Sequence, residues 1–481
     1  MTTESLDNPS QKLHICLILL FGILFVFSAL NDGLVSDDFE LIEEAQFVHP
    51  YDLLTFFSEP GHKGFYRPLP RLLLSFNWSI HGIAPFGYHL LNALIHLIMC
   101  LYVYKLVCRL TENSKLGLST SILFAVHFVH VEPVFWVSAR NELLVSLIYL
   151  VIIIRIMDKN KRFNVLTYVL FILGLLCKET AVTIPVVIFF WGFYSTEGII
   201  KSRFWHGIRT SKPFWLILMG YALLRWSVGA AWPWTSMEIG FGIGPFLIIK
   251  NIGQYTLQLL MPIRSIFDLI GPDTYGFVTQ VVKNESLIPG GMIFILLLVA
   301  ICLVDLSFIL VKFANRNLKT GLIFALLTAL PYLLMEGTGL RYMYLPSVGF
   351  LFAFTSGIQD LHERRNLWRW ASHTRFIVPI TIVISLWATW DQTRWWEQAG
   401  QKVDLILDQV KNRNIGQPNS LYVFNIPRRI HGAYLFHNGF EAAIRLNMIH
   451  QNVSIHDGDR ALEDTELIPE GADRLYLKLI P

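Results

Sequence analysis

Two adjacent carboxylates, Asp37 and Asp38, stand in the run Ser36-Asp37-Asp38-Phe39-Glu40, directly after a long apolar segment. Adjacent acids that are partly buried repel, so one holds its proton to higher pH and becomes a better general base. With Glu43, Glu44 and Asp52 following, the same run also reads as a solvated acidic loop. Cations recur at four further points. In Phe65-Tyr66-Arg67-Pro68-Leu69 the ring-locked proline fixes the backbone beside Arg67. That guanidinium suits bidentate phosphate binding, or anchoring to lipid head groups. Arg140, in Trp136-Val137-Ser138-Ala139-Arg140, suits a phosphate, a sugar or a nearby carboxylate. Lys178 and Glu179 lie between two apolar runs. Sequence neighbours do not face each other on a helix, so the two have different partners. For Lys178 that is a lipid phosphate or an ion pair with another helix. Gly337-Thr338-Gly339 permits a tight turn that offers Arg341 and Tyr342 to an anion or a sugar. Tyr342 and Tyr344 also fit an interfacial aromatic belt. His127, His130 and Glu132 are spaced to share a helical face and hold a divalent metal, or to hydrogen-bond locally.

The elements that carry these residues are set by lipid. Hydrophobic residues make up 53% of the 481 and charged residues 16%, against about 25% charged in soluble domains. Net charge is +3 with no basic segment, which excludes a nucleic-acid partner. Cys16, Cys100, Cys108, Cys177 and Cys302 all lie in or beside apolar runs, which argues against a disulfide framework. A span needs roughly 20 apolar residues. Candidates are 13–31, 88–107, 116–131, 142–157, 163–178, 180–196, 213–231, 287–309, 319–335, 342–359 and 376–390. The first is read as an uncleaved helix. Residues 246–262, which hold Lys250, Asn251, Gln254 and Gln258, are read as an interfacial or cavity-lining helix.

With that count the loops rich in Lys and Arg share one side, the cytoplasmic side by the positive-inside rule. Expected is an all-α polytopic membrane protein of about eleven transmembrane helices. Its N-terminus is cytoplasmic. The transmembrane domain is 1–390, with a first outer loop over 32–87. The tail, 391–481, reads as a small extracytoplasmic α/β module, with strands near 420–425, 452–455 and 475–480 and a helix near 438–448. No repeat of a tetratricopeptide kind is visible. Sequons at Asn77, Asn284 and Asn452 fall on the outer side. So do Glu132, Arg140, Glu142, Lys178, Glu179, Arg225, Glu336 and Arg341, each at a helix end. An ionisable residue at membrane depth costs about 2.5–3.5 kcal/mol, so their shared side points to one polar cavity capped by the first loop.

In this order the motifs resemble the membrane glycosyltransferases of the GT-C class, which includes protein O-mannosyltransferases and lipid A aminoarabinose transferases. The likeness covers roughly residues 13–390 and is nearest to bacterial relatives of the tetratricopeptide-tailed transmembrane mannosyltransferases. It rests on Asp37-Asp38, Tyr66-Arg67-Pro68-Leu69, His130-Val131-Glu132-Pro133 with Trp136-Val137-Ser138-Ala139-Arg140, Lys178-Glu179-Thr180, and Arg341-Tyr342-Met343-Tyr344-Leu345-Pro346. The resemblance implies inverting sugar transfer from a polyprenyl-phosphate-linked donor to a hydroxyl acceptor on the outer face. Asp37 would be the base, with Asp38 its neighbour or replacement. Arg67, Arg140, Lys178 and Arg341 would hold the leaving phosphate; Tyr66, His130, Glu132, Glu179 and Tyr342 would line the cavity. Family members differ in metal use, so a divalent metal is left open. The acceptor, whether glycan, lipid or protein, is open as well. The short α/β tail departs from the tetratricopeptide-tailed group. A bacterial inner membrane is the expected location. The rival readings are a transporter or flippase of a lipid-linked sugar without catalysis, and an inert membrane scaffold.

Overall fold

In the computed structural model, the described residues are 9–47, 49–158, 164–232, 242, 244–270, 315–337, 339–363, 369–412, 420–447, 454–457 and 474–478. The expected span 287–309 and the sequons at Asn284 and Asn452 lie outside them, as do Lys159, Lys161, Arg162, Lys312, Arg364 and Arg365.

The chain is a mostly helical, multi-pass membrane protein. Helix α1 (Pro9–Val26) leads into the first loop, which holds α2 (Asp37–Glu44), α3 (Asp52–Ser58) and α4 (Pro68–His81). Pro68 opens α4, where a missing N–H costs nothing. Then come α5 (Phe86–Thr111) and α6 (Ser114–Val126), the second capped by Asn113, whose side chain accepts from the Lys115 and Leu116 N–H groups. After α6 the chain bends by 48°. Short 3-10 turns at Phe128–His130 and Val137–Ala139 flank α7 (Val131–Phe135) before α8 (Arg140–Met157) resumes. This break turns Glu132, Ser138 and Arg140 inward. Next are α9 (Val165–Cys177), α10 (Ile184–Tyr194), α11 (Ile200–Ser227), α12 (Pro245–Leu260) and α13 (Ile263–Ile270). Beyond lie α14 (Arg316–Leu333), α15 (Tyr344–Glu363) and α16 (Ile377–Asn412).

Among the described residues three helices are long and apolar enough to cross a membrane: Pro9–Asn31, Phe86–Thr111 and Val137–Met157. The bent pair Ser114–Val126 with Phe128–Phe135 makes up to four. The expected eleven are therefore met only in part by length and composition. Val165–Cys177 and Glu179–Tyr194 are apolar but shorter. The 13 residues of α9 rise about 20 Å, less than the roughly 30 Å of a hydrocarbon core.

Helices α14 and α15 cross backbone to backbone at two glycines. A Cβ on Gly321 would lie 2.5 Å from the Gly349 carbonyl oxygen, and one on Gly349 would lie 2.4 Å from that of Gly321. This crossing sets the height of the turn Leu340–Met343, which carries Arg341.

Helix α16 is continuous for 36 residues and runs through position 391, where the tail was expected to begin. Beyond it, β1 (Ser420–Phe424) lies between β4 (Ser454–Asp457) and β5 (Arg474–Lys478), parallel to both, with Ser420 opposite Ser454 and Arg474. Strands β2 (Arg429–Ile430) and β3 (Ala433–Tyr434) form a small antiparallel ladder, and α17 (Phe440–Asn447) packs on α2 and β4. Gly349→Ala must push α14 and α15 apart. We expect a loss of about 1–3 kcal/mol, as for overpacked cores, read as a lowered melting temperature of the purified protein.

Candidate active site

A cavity of about 1050 Å³ lies among α2, α4, α11, α14 and the turns that open α8, α10 and α15. Of the residues picked out above, its wall contains Asp37, Arg67, Arg140, Lys178, Glu179, Arg341 and Tyr342. Asp38, Tyr66, His130 and Glu132 stand behind it.

The cations are held in different ways. Arg67 donates from Nε and Nη2 to one oxygen of Glu179, at 3.0 and 2.8 Å. The other Glu179 oxygen accepts from Arg225 at 3.1 Å, so one carboxylate serves two guanidinium groups. Lys178 pairs with Glu142, whose second oxygen accepts from the Tyr332 hydroxyl at 2.8 Å. Arg341 pairs with Glu132 at 2.5 Å and lies over the rings of Tyr342 and Trp136, 4.6 and 5.0 Å from their centroids. Arg140, almost wholly buried, donates to Asn92 Oδ1, Asn77 Oδ1 and the Tyr88 carbonyl, each at 2.8 Å. Among the described residues no carboxylate lies within ion-pair distance of it. Five cations thus stand against three paired carboxylates; with Asp37, Glu44, Lys63 and Arg71, also on the wall, seven cations meet five carboxylates.

The acidic pair splits because consecutive helical residues point in different directions. Asp38 turns inward. Its Oδ1 accepts from the Ser138 N–H at 2.7 Å and from the Ser138 hydroxyl at 2.5 Å, and its Oδ2 from the Val35 N–H at 3.1 Å. Burial pushes its carboxyl up to about 7 despite these donors, with Asp37 adding to the rise. Asp37 turns to the cavity, and its Oδ1 accepts from Asn438 Nδ2 at 2.7 Å. The acid with the raised pKa is therefore not the one that meets the cavity.

Tyr66 donates its hydroxyl to the Phe57 carbonyl at 2.8 Å. His130 is spent on the Phe124 carbonyl and the Ser347 hydroxyl, at 2.7 and 2.8 Å. With Glu132 on Arg341, the expected trio of His127, His130 and Glu132 does not converge. Among the described residues no group of three or more His, Cys, Asp or Glu is placed to hold a metal ion. Asn77 also differs from its reading as an outer sequon. It is buried, donates to the Gly87 carbonyl at 3.2 Å and accepts from Arg140.

The structure adds Glu44, Lys63, Arg71, Ser138 and Arg225 to the cavity wall. Arg225 already stood out as a charge at membrane depth. Arg71 had a weaker signal, four residues beyond Arg67. Nothing in the sequence pointed to Asn438, whose contact depends on how the tail folds back.

No family model matches the chain. Two curated relatives are similar to its sequence. One is the protein O-mannosyl-transferase Tmtc3 of Drosophila melanogaster, 28% identical over 316 residues, 55% of this chain and 34% of that protein. The other is the protein O-mannosyl-transferase F38B6.6 of Caenorhabditis elegans, 34% identical over 195 residues, 37% of this chain and 28% of that protein. Its homologues are protein O-mannosyltransferases. The chain spans about a third of the length of these relatives. Among solved structures, ArnT from Cupriavidus metallidurans bound to undecaprenyl phosphate superposes with a TM-score of 0.49 at 9% identity, over 93% of this chain and 86% of that one.

Because folding raises the Asp38 carboxyl from 3.8 to about 7, the folded state binds this proton more tightly than the unfolded one. The stabilisation is complete below about pH 4 and is lost as pH rises to about 7. Asp38→Asn removes that dependence. The melting temperature of Asp38→Asn relative to wild type should therefore climb from pH 4 to pH 7; a constant difference would contradict the assignment.

Proposed function

We propose that this protein is an inverting glycosyltransferase that moves a sugar from a polyprenyl-phosphate-linked donor to a hydroxyl acceptor. The observation that carries the reading is the cavity itself, whose wall holds a carboxylate, Asp37, together with an excess of cations. Protein O-mannosyltransferase relatives support the same class of reaction. No Gly-rich nucleotide loop occurs in the sequence, which suits a lipid-linked donor.

In the proposed step Asp37 takes the proton of the acceptor hydroxyl. The freed oxygen pair forms a bond to the anomeric carbon from the face opposite the phosphate. The bond from that carbon to the phosphate oxygen breaks, its electrons leave with polyprenyl phosphate, and configuration inverts. Asp37 then loses its proton to water. Negative charge grows on the departing phosphate, where Arg67, Arg140, Lys178 and Arg341 are already oriented by their partners. Such preorganised cations act more strongly in a dry site than in water. The outer-face location, the cytoplasmic N-terminus, the bacterial inner membrane and the full set of eleven spans belong to the same proposal.

Purified protein given a polyprenyl-phospho-sugar and a hydroxyl acceptor should release polyprenyl phosphate, detected by mass spectrometry. Asp37→Asn should slow this by about 10²–10⁴-fold, the usual worth of a general base. Movement of intact donor between liposome leaflets, with no release for any acceptor, would identify a flippase instead.

A further inference from the structure

The tail contacts residues of the cavity wall at one short segment, 434–439. Ser36, immediately before the acidic pair, has φ 51° and ψ −126°, a backbone combination that residues with a side chain rarely take. It is clasped from the tail. The Ser36 N–H donates to the Leu435 carbonyl at 2.6 Å, and the Asn438 N–H donates to the Ser36 hydroxyl oxygen at 3.2 Å. The Gly439 N–H donates to Glu40 Oε1 at 3.0 Å. Gly439 itself has φ 78°, and a Cβ there would come within 2.2 Å of the Ser36 carbonyl oxygen. On this clasp Asn438 Nδ2 meets Asp37 Oδ1 at 2.7 Å. Four residues earlier, the Tyr434 hydroxyl accepts from Arg341 at 3.4 Å, and its ring lies 4.6 Å from that of Trp136.

We infer that this tail segment completes the active site, and that Asn438 is a positioning residue for Asp37. The inference rests on the transferase reading. A carboxylate at the first turn of a short helix has several rotamers, and only some aim an oxygen into the cavity. The amide donor occupies Oδ1 and fixes the side chain, while Oδ2 has no partner among the described residues. That oxygen is left for the acceptor proton. The donor type matters: an ammonium here would weaken the base, and a carboxylate would repel it. A neutral amide orients without doing either.

The test uses the full chain and the polyprenyl phosphate release assay. Asn438→Ala should lower kcat about tenfold or more, as misplacing a reacting group does, with the KM for the polyprenyl-phospho-sugar unchanged. Asn438→Asp, nearly isosteric, should lower it further and move the acid limb of the rate profile to higher pH. That variant decides the matter if the alanine form melts early. Arg445→Ala, which removes the exposed ion pairs of α17 with Glu43 and Glu441, should keep the wild-type rate. Wild-type kcat in Asn438→Ala, or an equal loss in Arg445→Ala, would overturn the positioning role. No release by wild type would overturn the transferase reading beneath it.

Discussion

Charge inside a lipid-solvated protein must be partnered, and here the partnering is deliberately unequal. One carboxylate, Glu179, is shared by Arg67 and Arg225, and Arg140 is satisfied by three neutral oxygens. Breaking a buried pair by removing one member typically costs 3–5 kcal/mol, so these groups cannot be rearranged singly. The surplus positive charge is thereby locked in place. The bend after α6, the short 3-10 turns and the glycine crossing of α14 and α15 accompany the helix ends at which that arrangement forms.

The acidic pair is fixed by a different device. Asp38 is pinned to Ser138, which sits two residues before Arg140. The inward acid therefore ties the first loop to the same turn that presents the buried arginine. Its neighbour is freed for the cavity by simple helical geometry. Two adjacent acids, alike in sequence, are separated into an anchor and a cavity-facing group by about 100° of helical rotation.

Much of this was legible in the sequence because membrane burial makes ionisable residues conspicuous. Arg140, Lys178 and Arg341 stood out as expensive charges and Arg67 by its neighbouring proline, and the structure brings the four around one space. The tail's strands and helix were visible from alternation and amphipathic spacing. What was hidden depended on direction. Spacing does not reveal that His130 points at Ser347, that Tyr66 points at Phe57, or that Asn77 is an arginine ligand and no surface sequon. Helix boundaries were blurred where apolar runs are short, as in α9, or where the chain stays helical past the lipid, as in α16. Asn438 was out of reach for a further reason. Its partner is 401 residues away in sequence, and an asparagine in a polar tail carries no local mark.

The tail segment has a consequence in terms of tolerance. Tyr434 touches Arg341, and Asn438 touches Asp37. These two wall residues are thus bridged by a single covalent piece a few residues long. Membrane helices slide and tilt as bilayer thickness changes, by amounts that sum over many contacts. A bridge of five residues between Arg341 and Asp37 limits how far such adjustments can separate the two side chains.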